Sequence, residues 1–254
     1  MDSARIKAIE EREREKYTEL FTRNYGSTGY QTQFSEVAEW ITPEQDRILD
    51  MGCGCGVAVK RLLLKKRDAV GVDITLAGCA TKFLPRQEDP IWIPIDPDHF
   101  KKAPLWRMPF VDRAFHTSMS SDVMEHLPPE MLDATIKEMF RVTRDRMVHV
   151  VSTQESKWEK GLHLVVKPMW WWRKKFEKYN SRGIWCMIVT AQEFLGYHGE
   201  LKHIMKGVMR ESKPTNRRGN PHVAPSRKAQ GVRGITAKRK LRKRKSVHSL
   251  HGPE

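Results

Sequence analysis

The chain opens on a charge-rich segment in which Ile6, Ile9, Tyr17, Leu20 and Phe21 are spaced along one side of a helix, and no breaker precedes Gly26. A helix over 3–24 is predicted, apolar on one side only. The stretch Asn24–Tyr30 interrupts it, and a second helix is predicted over Phe34–Ile41, ahead of Pro43. After that the period changes. Short apolar runs predict strands at Arg47–Met51, Ala69–Ile74, Arg146–Ser152 and Ile184–Val189, and Phe115–Ser121 is read as a further strand between them. Ile91–Ile95 is a candidate third strand whose Pro94 favours a sheet edge, and 201–208 is a candidate last strand. Between the strands lie helical segments: Val57–Lys66, a segment opened by Pro128 and Pro129 with Leu132, Ile136, Met139 and Phe140 on one face, and Met169–Tyr179. Such alternation implies an α/β class with a parallel sheet covered on both faces.

The first strand runs into Asp50-Met51-Gly52-Cys53-Gly54-Cys55-Gly56, with glycine at every second position, and a helix follows. Glycines there permit a sharp turn and let a ligand approach bare backbone. The helix N-terminus beyond offers unpaired N–H groups and a positive dipole end. Asp73 ends the second strand about 20 residues further on, the separation at which a βαβ unit places an acid for ribose hydroxyls. A dinucleotide fingerprint spaces its glycines as G-x-G-x-x-G; this loop does not. An acid-x-Gly-x-Gly-x-Gly loop followed by a ribose acid resembles the class I S-adenosylmethionine-dependent methyltransferases.

That resemblance implies a three-layer Rossmann-like fold around a mostly parallel seven-stranded sheet, with S-adenosylmethionine as cofactor. It implies an N-terminal helical cap over 1–44 and a cofactor-binding methyltransferase domain over 45–210, and a change in composition sets off a basic tail over 211–254. It also implies site roles. Asp50 would lie near the methionine end, Gly52, Gly54 and Gly56 would give backbone access, Asp73 would hold the ribose, and Ile74 would touch the adenine. Leu105-Trp106-Arg107-Met108-Pro109-Phe110-Val111-Asp112 and Asp122-Val123-Met124-Glu125-His126 resemble two further segments of the family. By that likeness Leu105 and Trp106 would lie against the adenine, and Asp122 to His126 would line the cleft between strands one and four. No clean match supplies the contact to the adenine amino group; Asp96 and Asp98 stand ahead of a lysine-rich stretch.

Catalysis points to His126, a candidate general base because an ordinary imidazole titrates near neutrality. The other reading is that Glu125 and His126 only begin the helix that Pro128 continues. His163 is the second candidate, just ahead of Trp170, Trp171 and Trp172, which cannot all face one side of a helix. Signatures of base-amino and carbon-5 methylation are absent: Leu127-Pro128-Pro129-Glu130 lacks the amide and the aromatic, and no Pro-Cys pair occurs. A ribose-methylating set using Asp122 and a lysine such as Lys157 is available but not selected. The acceptor is an oxygen or nitrogen of an unidentified substrate.

Composition changes the picture in two ways. The net charge of +15 is concentrated: from Lys206 onward there are 15 Lys and Arg against Glu211 and Glu254, leaving +2 for residues 1–205. Candidate RNA or DNA contact therefore belongs to residues 213–245, a segment too polar and Pro/Gly-rich to offset its ordering entropy. This supports an alternative reading, a nucleic-acid or ribonucleoprotein binding protein on a methyltransferase-like scaffold. Cys53, Cys55, Cys79 and Cys186 form no metal-type repeat, so no metal site is expected; Cys53 and Cys55 read as small loop fillers. With neither a signal-type N-terminus nor an apolar run of membrane length, the expectation is a soluble, cytoplasmic protein with no membrane contact.

Overall fold

The computed structural model describes residues 2–23, 25, 31–80, 96 and 98–195. The chain divides into two units, Met1–Lys213 and Pro214–Glu254, and everything described belongs to the first. In order, the elements are α1 (Ser3–Thr22), α2 (Gln31–Ile41), β1 (Ile48–Met51), α3 (Val57–Leu64), β2 (Ala69–Asp73), α4 (Ala77–Ala80) and β3 (Phe100–Lys102). β4 (Phe115–Ser121), α5 (Leu132–Val142), β5 (Thr143–Val150), α6 (Met169–Tyr179) and β6 (Trp185–Val189) follow.

The six strands form one sheet in the order β3-β2-β1-β4-β5-β6, parallel at every pairing. From β1 the chain winds outward through β2 to β3, then returns beside β1 as β4 and winds the other way. The order reverses between β1 and β4, where open α/β sheets bind ligands beyond the carboxyl ends of their strands. Helices cover both faces because the strands carry apolar residues on both. On one face Leu49, Met51, Val70, Val72 and Met147 pack with Ile136, Met139 and Phe140 of α5 and with Trp172 and Phe176 of α6. On the other, Ile48, Met119, Val148 and Val150 pack with Phe34, Val37 and Ile41 of α2 and with Val59 and Leu62 of α3. Each such side chain contributes about 1.5–3 kcal/mol on burial.

Several boundaries differ from the sequence pattern for identifiable reasons. The strand at the β2 edge is Phe100–Lys102, while Ile91–Ile95 lies outside the described residues. An edge strand is held by backbone pairing, Gly71↔Phe100 to Asp73↔Lys102, so its two lysines do not disqualify it. Pro128 and Pro129 do not open the α-helix directly. Two 3-10 turns, Met124–His126 and Pro129–Met131, precede α5, and the Met131 amide donates to the Pro128 carbonyl at 2.8 Å. β5 begins at Thr143 rather than Arg146, because Thr143 ends α5 and enters the sheet at once: its hydroxyl donates to the Met139 carbonyl (2.7 Å) and lies 2.6 Å from Ser118 Oγ. Six strands are present among the described residues; the candidate strand at 201–208 and the basic tail lie outside them. Of the three tryptophans, Trp172 is buried in the core and Trp170 is 65 % exposed.

α1 is mostly polar and still seated. Asp2 caps it by accepting from the Arg5 amide at 2.8 Å, Thr18 Oγ1 donates to Thr75 Oγ1 (2.9 Å), and Arg107 donates to Glu10 from the far side (2.8 Å). It is thereby tied to the residues after β2 and after β3, across the carboxyl ends of the strands.

Candidate active site

A cavity of about 280 Å³ opens at the strand ends beside the β1–β4 reversal. Every wall but one comes from residues just past a strand: Gly52 and Gly54 after β1, Asp73 and Ile74 at the end of β2, Pro104, Leu105 and Trp106 after β3, and Ser121 to Val123 with His126 after β4. The remaining wall is Glu13, Tyr17 and Phe21 of α1, with Tyr25 and Trp158.

The glycine loop is built as a turn. Gly52, Gly54 and Gly56 all have positive φ, and a Cβ on Gly52 would stand 2.5 Å from Val123 Cγ2. Its form is held by Asp73, whose Oδ2 accepts from the Gly54 amide at 2.9 Å and whose Oδ1 accepts from the Thr75 amide at 3.3 Å. Burial raises the Asp73 carboxyl to about 6 even though these amides pull it down. Asp50 lies beneath the loop within β1, where burial and the neighbouring Asp73 charge raise it to about 7. Two acids this close are a region of negative potential awaiting a cation or proton.

The opposite wall is formed after β4. Asp122 adopts φ +52, an uncommon backbone conformation for a residue with a side chain, and its amide donates to the Val150 carbonyl at 3.0 Å. Glu125 is fully buried; burial and the Asp122 carboxylate beside it hold its own carboxyl well above the usual range. His126 donates from Nδ1 to the Leu162 carbonyl (3.2 Å), which leaves Nε2 as the acceptor, 3.3 Å from the Tyr25 hydroxyl. Burial, then His163 nearby, lower His126 to about 3, so the ring is neutral at physiological pH.

The candidates read from the sequence therefore divide. Gly52, Gly54, Asp73, Ile74, Leu105, Trp106, Asp122 and His126 line the one cavity. Asp50 and Gly56 do not; Asp50 supports the loop from beneath and Gly56 is the N-cap of α3. His163 is outside the lining too, with its ring centroid 4.6 Å from that of His126. Sequence reasoning assigned no site role to Glu13, Tyr17, Phe21 or Trp158. The signal for the first three was the narrow apolar stripe on an otherwise charged helix. Two buried polar atoms of the walls, Tyr17 Oη and Trp106 Nε1, have no hydrogen-bond partner among the described residues. Such groups suit a polar ligand, and the cavity is near the lower end of the roughly 300–1,000 Å³ usual for small-molecule sites.

A family profile described as "Methyltransferase domain" matches residues 48–146, the span that supplies the glycine loop, Asp73 and the Asp122–His126 wall. Residues 48–146 are a methyltransferase domain. No curated protein matches the chain's sequence. Among solved structures, it is similar to a chain of the complex between the Haloferax volcanii Trm112 methyltransferase activator and a methyltransferase. That match has 12% identity and a TM-score of 0.47, covering 64% of this chain and 75% of the other. It is similar also to the Burkholderia thailandensis 1,6-didemethyltoxoflavin-N1-methyltransferase with bound S-adenosylhomocysteine, at 16% identity, TM-score 0.44, covering 62% and 66%. A third is an S-adenosylmethionine-dependent methyltransferase from Archaeoglobus fulgidus, at 18% identity, TM-score 0.44, covering 63% and 72%. No helix among the described residues is long and apolar enough to cross a membrane.

Proposed function

We propose that this chain is a class I S-adenosylmethionine-dependent methyltransferase that transfers a methyl group to an oxygen or nitrogen of a substrate entering beside His126, with the cofactor held between the glycine loop and Asp73. The observation that carries the reading is the single cavity into which four strand ends deliver Gly52, Gly54, Asp73, Leu105, Trp106, Asp122 and His126.

Bound there, S-adenosylmethionine supplies a methyl group already activated on a sulfonium, so the protein's task is chiefly position. Asp73 has both oxygens braced by loop amides and its remaining lone pairs available for ribose hydroxyls. Ile74, Leu105 and Trp106 provide the apolar surfaces suited to an adenine. Asp50 puts negative potential under the loop, on the side suited to the positively charged methionine end. Asp122 closes the cleft beside His126.

A neutral His126 held down to about 3 is a weak base. Its Nε2 suits an acceptor O–H or N–H as a hydrogen-bond partner, which orients a lone pair toward the methyl group. His163 acts through His126, against whose ring it packs edge-on. Titrating S-adenosylmethionine into the wild type and Asp73→Ala by calorimetry tests the cofactor assignment; a variant that binds as tightly as wild type would overturn it. Labelled-cofactor assays over RNA, DNA, protein and small-molecule fractions then identify the acceptor.

The segregated charge supports a role for the tail. With +13 of the net +15 lying beyond residue 205, residues 213–245 suit neutralisation of phosphates on RNA or DNA. Truncation after Met209 should lower RNA affinity and flatten its salt dependence; an unchanged slope would remove the tail from the reading.

A further inference from the structure

Glu125 and His163 meet His126 behind the cavity wall that His126 lines, with one donor atom of each within 4.8 Å of the other two. Segment 162–165 makes the meeting: the Leu164 and Val165 amides donate to the Glu125 carbonyl at 2.7 and 2.9 Å. Backbone carbonyls set the tautomers. A carbonyl can only accept, so His126, bonded to Leu162, carries its proton on Nδ1, and so does His163, whose Nδ1 is 2.6 Å from the Gln154 carbonyl. Both rings keep a lone pair on Nε2, and both are braced as metal-binding imidazoles are. Glu125 Oε1 accepts from the Ser152 amide at 2.9 Å, while Oε2, buried in a residue with 0 % exposure, has no well-formed hydrogen bond among the described residues and faces only the like-charged Asp122 carboxyl. A buried carboxylate oxygen left so is costly, and the Asp122 carboxylate beside it adds to the cost.

We propose that Glu125, His126 and His163 bind a divalent transition-metal ion. Two imidazoles and one carboxylate suit Zn²⁺, Co²⁺, Fe²⁺ or Mn²⁺ better than the all-oxygen preference of Mg²⁺ or Ca²⁺. Donors about 2.0–2.2 Å from a tetrahedral ion stand roughly 3.4 Å apart, so loading draws the three side chains together by about 1 Å. The Tyr25 hydroxyl, on His126 Nε2 at 3.3 Å, turns aside. Three protein ligands leave a position for water or an acceptor oxygen, so in the loaded protein the ion takes over from His126 Nε2 the contact to the acceptor. That use of the ion rests on the methyl-transfer reading; its binding does not. The other cluster of ligand-type residues, Asp46, His116 and Asp145, is a contrast. Arg146 lies 3.6 Å from Asp46, the Arg47 amide donates to His116 Nδ1 (3.1 Å), and Arg144 contacts Nε2 (3.1 Å), so its charges and lone pairs are already answered.

The test uses the full chain, stripped with a chelator and titrated with Co²⁺, reading stoichiometry by dialysis and ligand field by visible absorption. One Co²⁺ per chain is expected, weakened at least ten-fold by His163→Ala and by Glu125→Gln and unchanged by His116→Ala. His163 is only half-buried, so its variant should fold, and S-adenosylhomocysteine binding by the same preparations checks this separately. Wild type that binds S-adenosylhomocysteine but takes up no stoichiometric Co²⁺ overturns the proposal, as does full Co²⁺ binding by both variants. Co²⁺ binding lost in both variants without any S-adenosylhomocysteine binding by wild type supports the metal site and removes the cofactor assignment instead.

Discussion

Asp73→Asn isolates the charge that the cofactor assignment requires. The carboxylate accepts from the Gly54 and Thr75 amides and turns its other lone pairs toward the cavity. The amide loses one acceptor and weakens the other from charged to neutral. With about 1.5–3 kcal/mol for a hydrogen bond to a charged group, the loss is about 2–4 kcal/mol, roughly a 30- to 1,000-fold drop in affinity. The fold should survive. Burial raises the folded carboxyl from 3.8 to about 6. That contribution to stability is present below pH 3.8 and is lost as pH rises through 6, about 3 kcal/mol in all. Asparagine escapes this cost, which offsets the loop hydrogen bond it cannot make, so the free variant should unfold no earlier than wild type. Binding has the opposite pH sign, because the ligand needs the ionised acid. Wild-type affinity for S-adenosylhomocysteine should be flat above about pH 7 and fall about ten-fold by pH 5, with no Asp73 component in the variant. Calorimetry at both pH values reads all of this. Affinities within three-fold of each other at pH 7.5, or a wild-type affinity independent of pH, would refute the reasoning.

Gly52→Ala combines a positive φ with a Cβ 2.5 Å from Val123, so it should lower stability by at least about 1–2 kcal/mol in denaturant titration. Adding Val123→Ala should recover the steric part but not the backbone part. Tyr17→Phe removes a buried hydroxyl that has no partner among the described residues, so the free protein should be as stable or up to about 1 kcal/mol more so in thermal unfolding. Weaker S-adenosylhomocysteine binding by the same variant would mark that hydroxyl as a ligand contact. Trp172→Ala empties the space between α6 and the sheet and should cost about 3–5 kcal/mol, read as a fall in the denaturation midpoint, whereas Trp170→Ala should be nearly neutral.

Much of the core domain was legible because it is local. Ile48–Met51, Gly52–Gly56 and Val57–Leu64 form strand, turn and helix for reasons contained in those residues, and Asp73 follows from the length of one βαβ unit. The α5 face of Leu132, Ile136, Met139 and Phe140 is periodic. The edge strand was not legible. Phe100–Lys102 becomes a strand by borrowing hydrogen bonds from β2, and nothing in its own side chains requires that.

The site shows the same division. By itself the sequence determined the glycine turn and singled out Asp73, each at the end of a locally encoded strand, while the candidate wall from Asp122 to His126 came from its likeness to a family motif. Only the tertiary structure decided that α1 lays Tyr17 and Phe21 over the strand ends, and that Asp50 supports the loop without lining the cavity. It alone joined His163 to Glu125 and His126, through backbone bonds between segment 162–165 and the turn after β4. Those contacts depend on where two loops pass one another. Residue pattern encodes periodicity along the chain, and it carries no such distance.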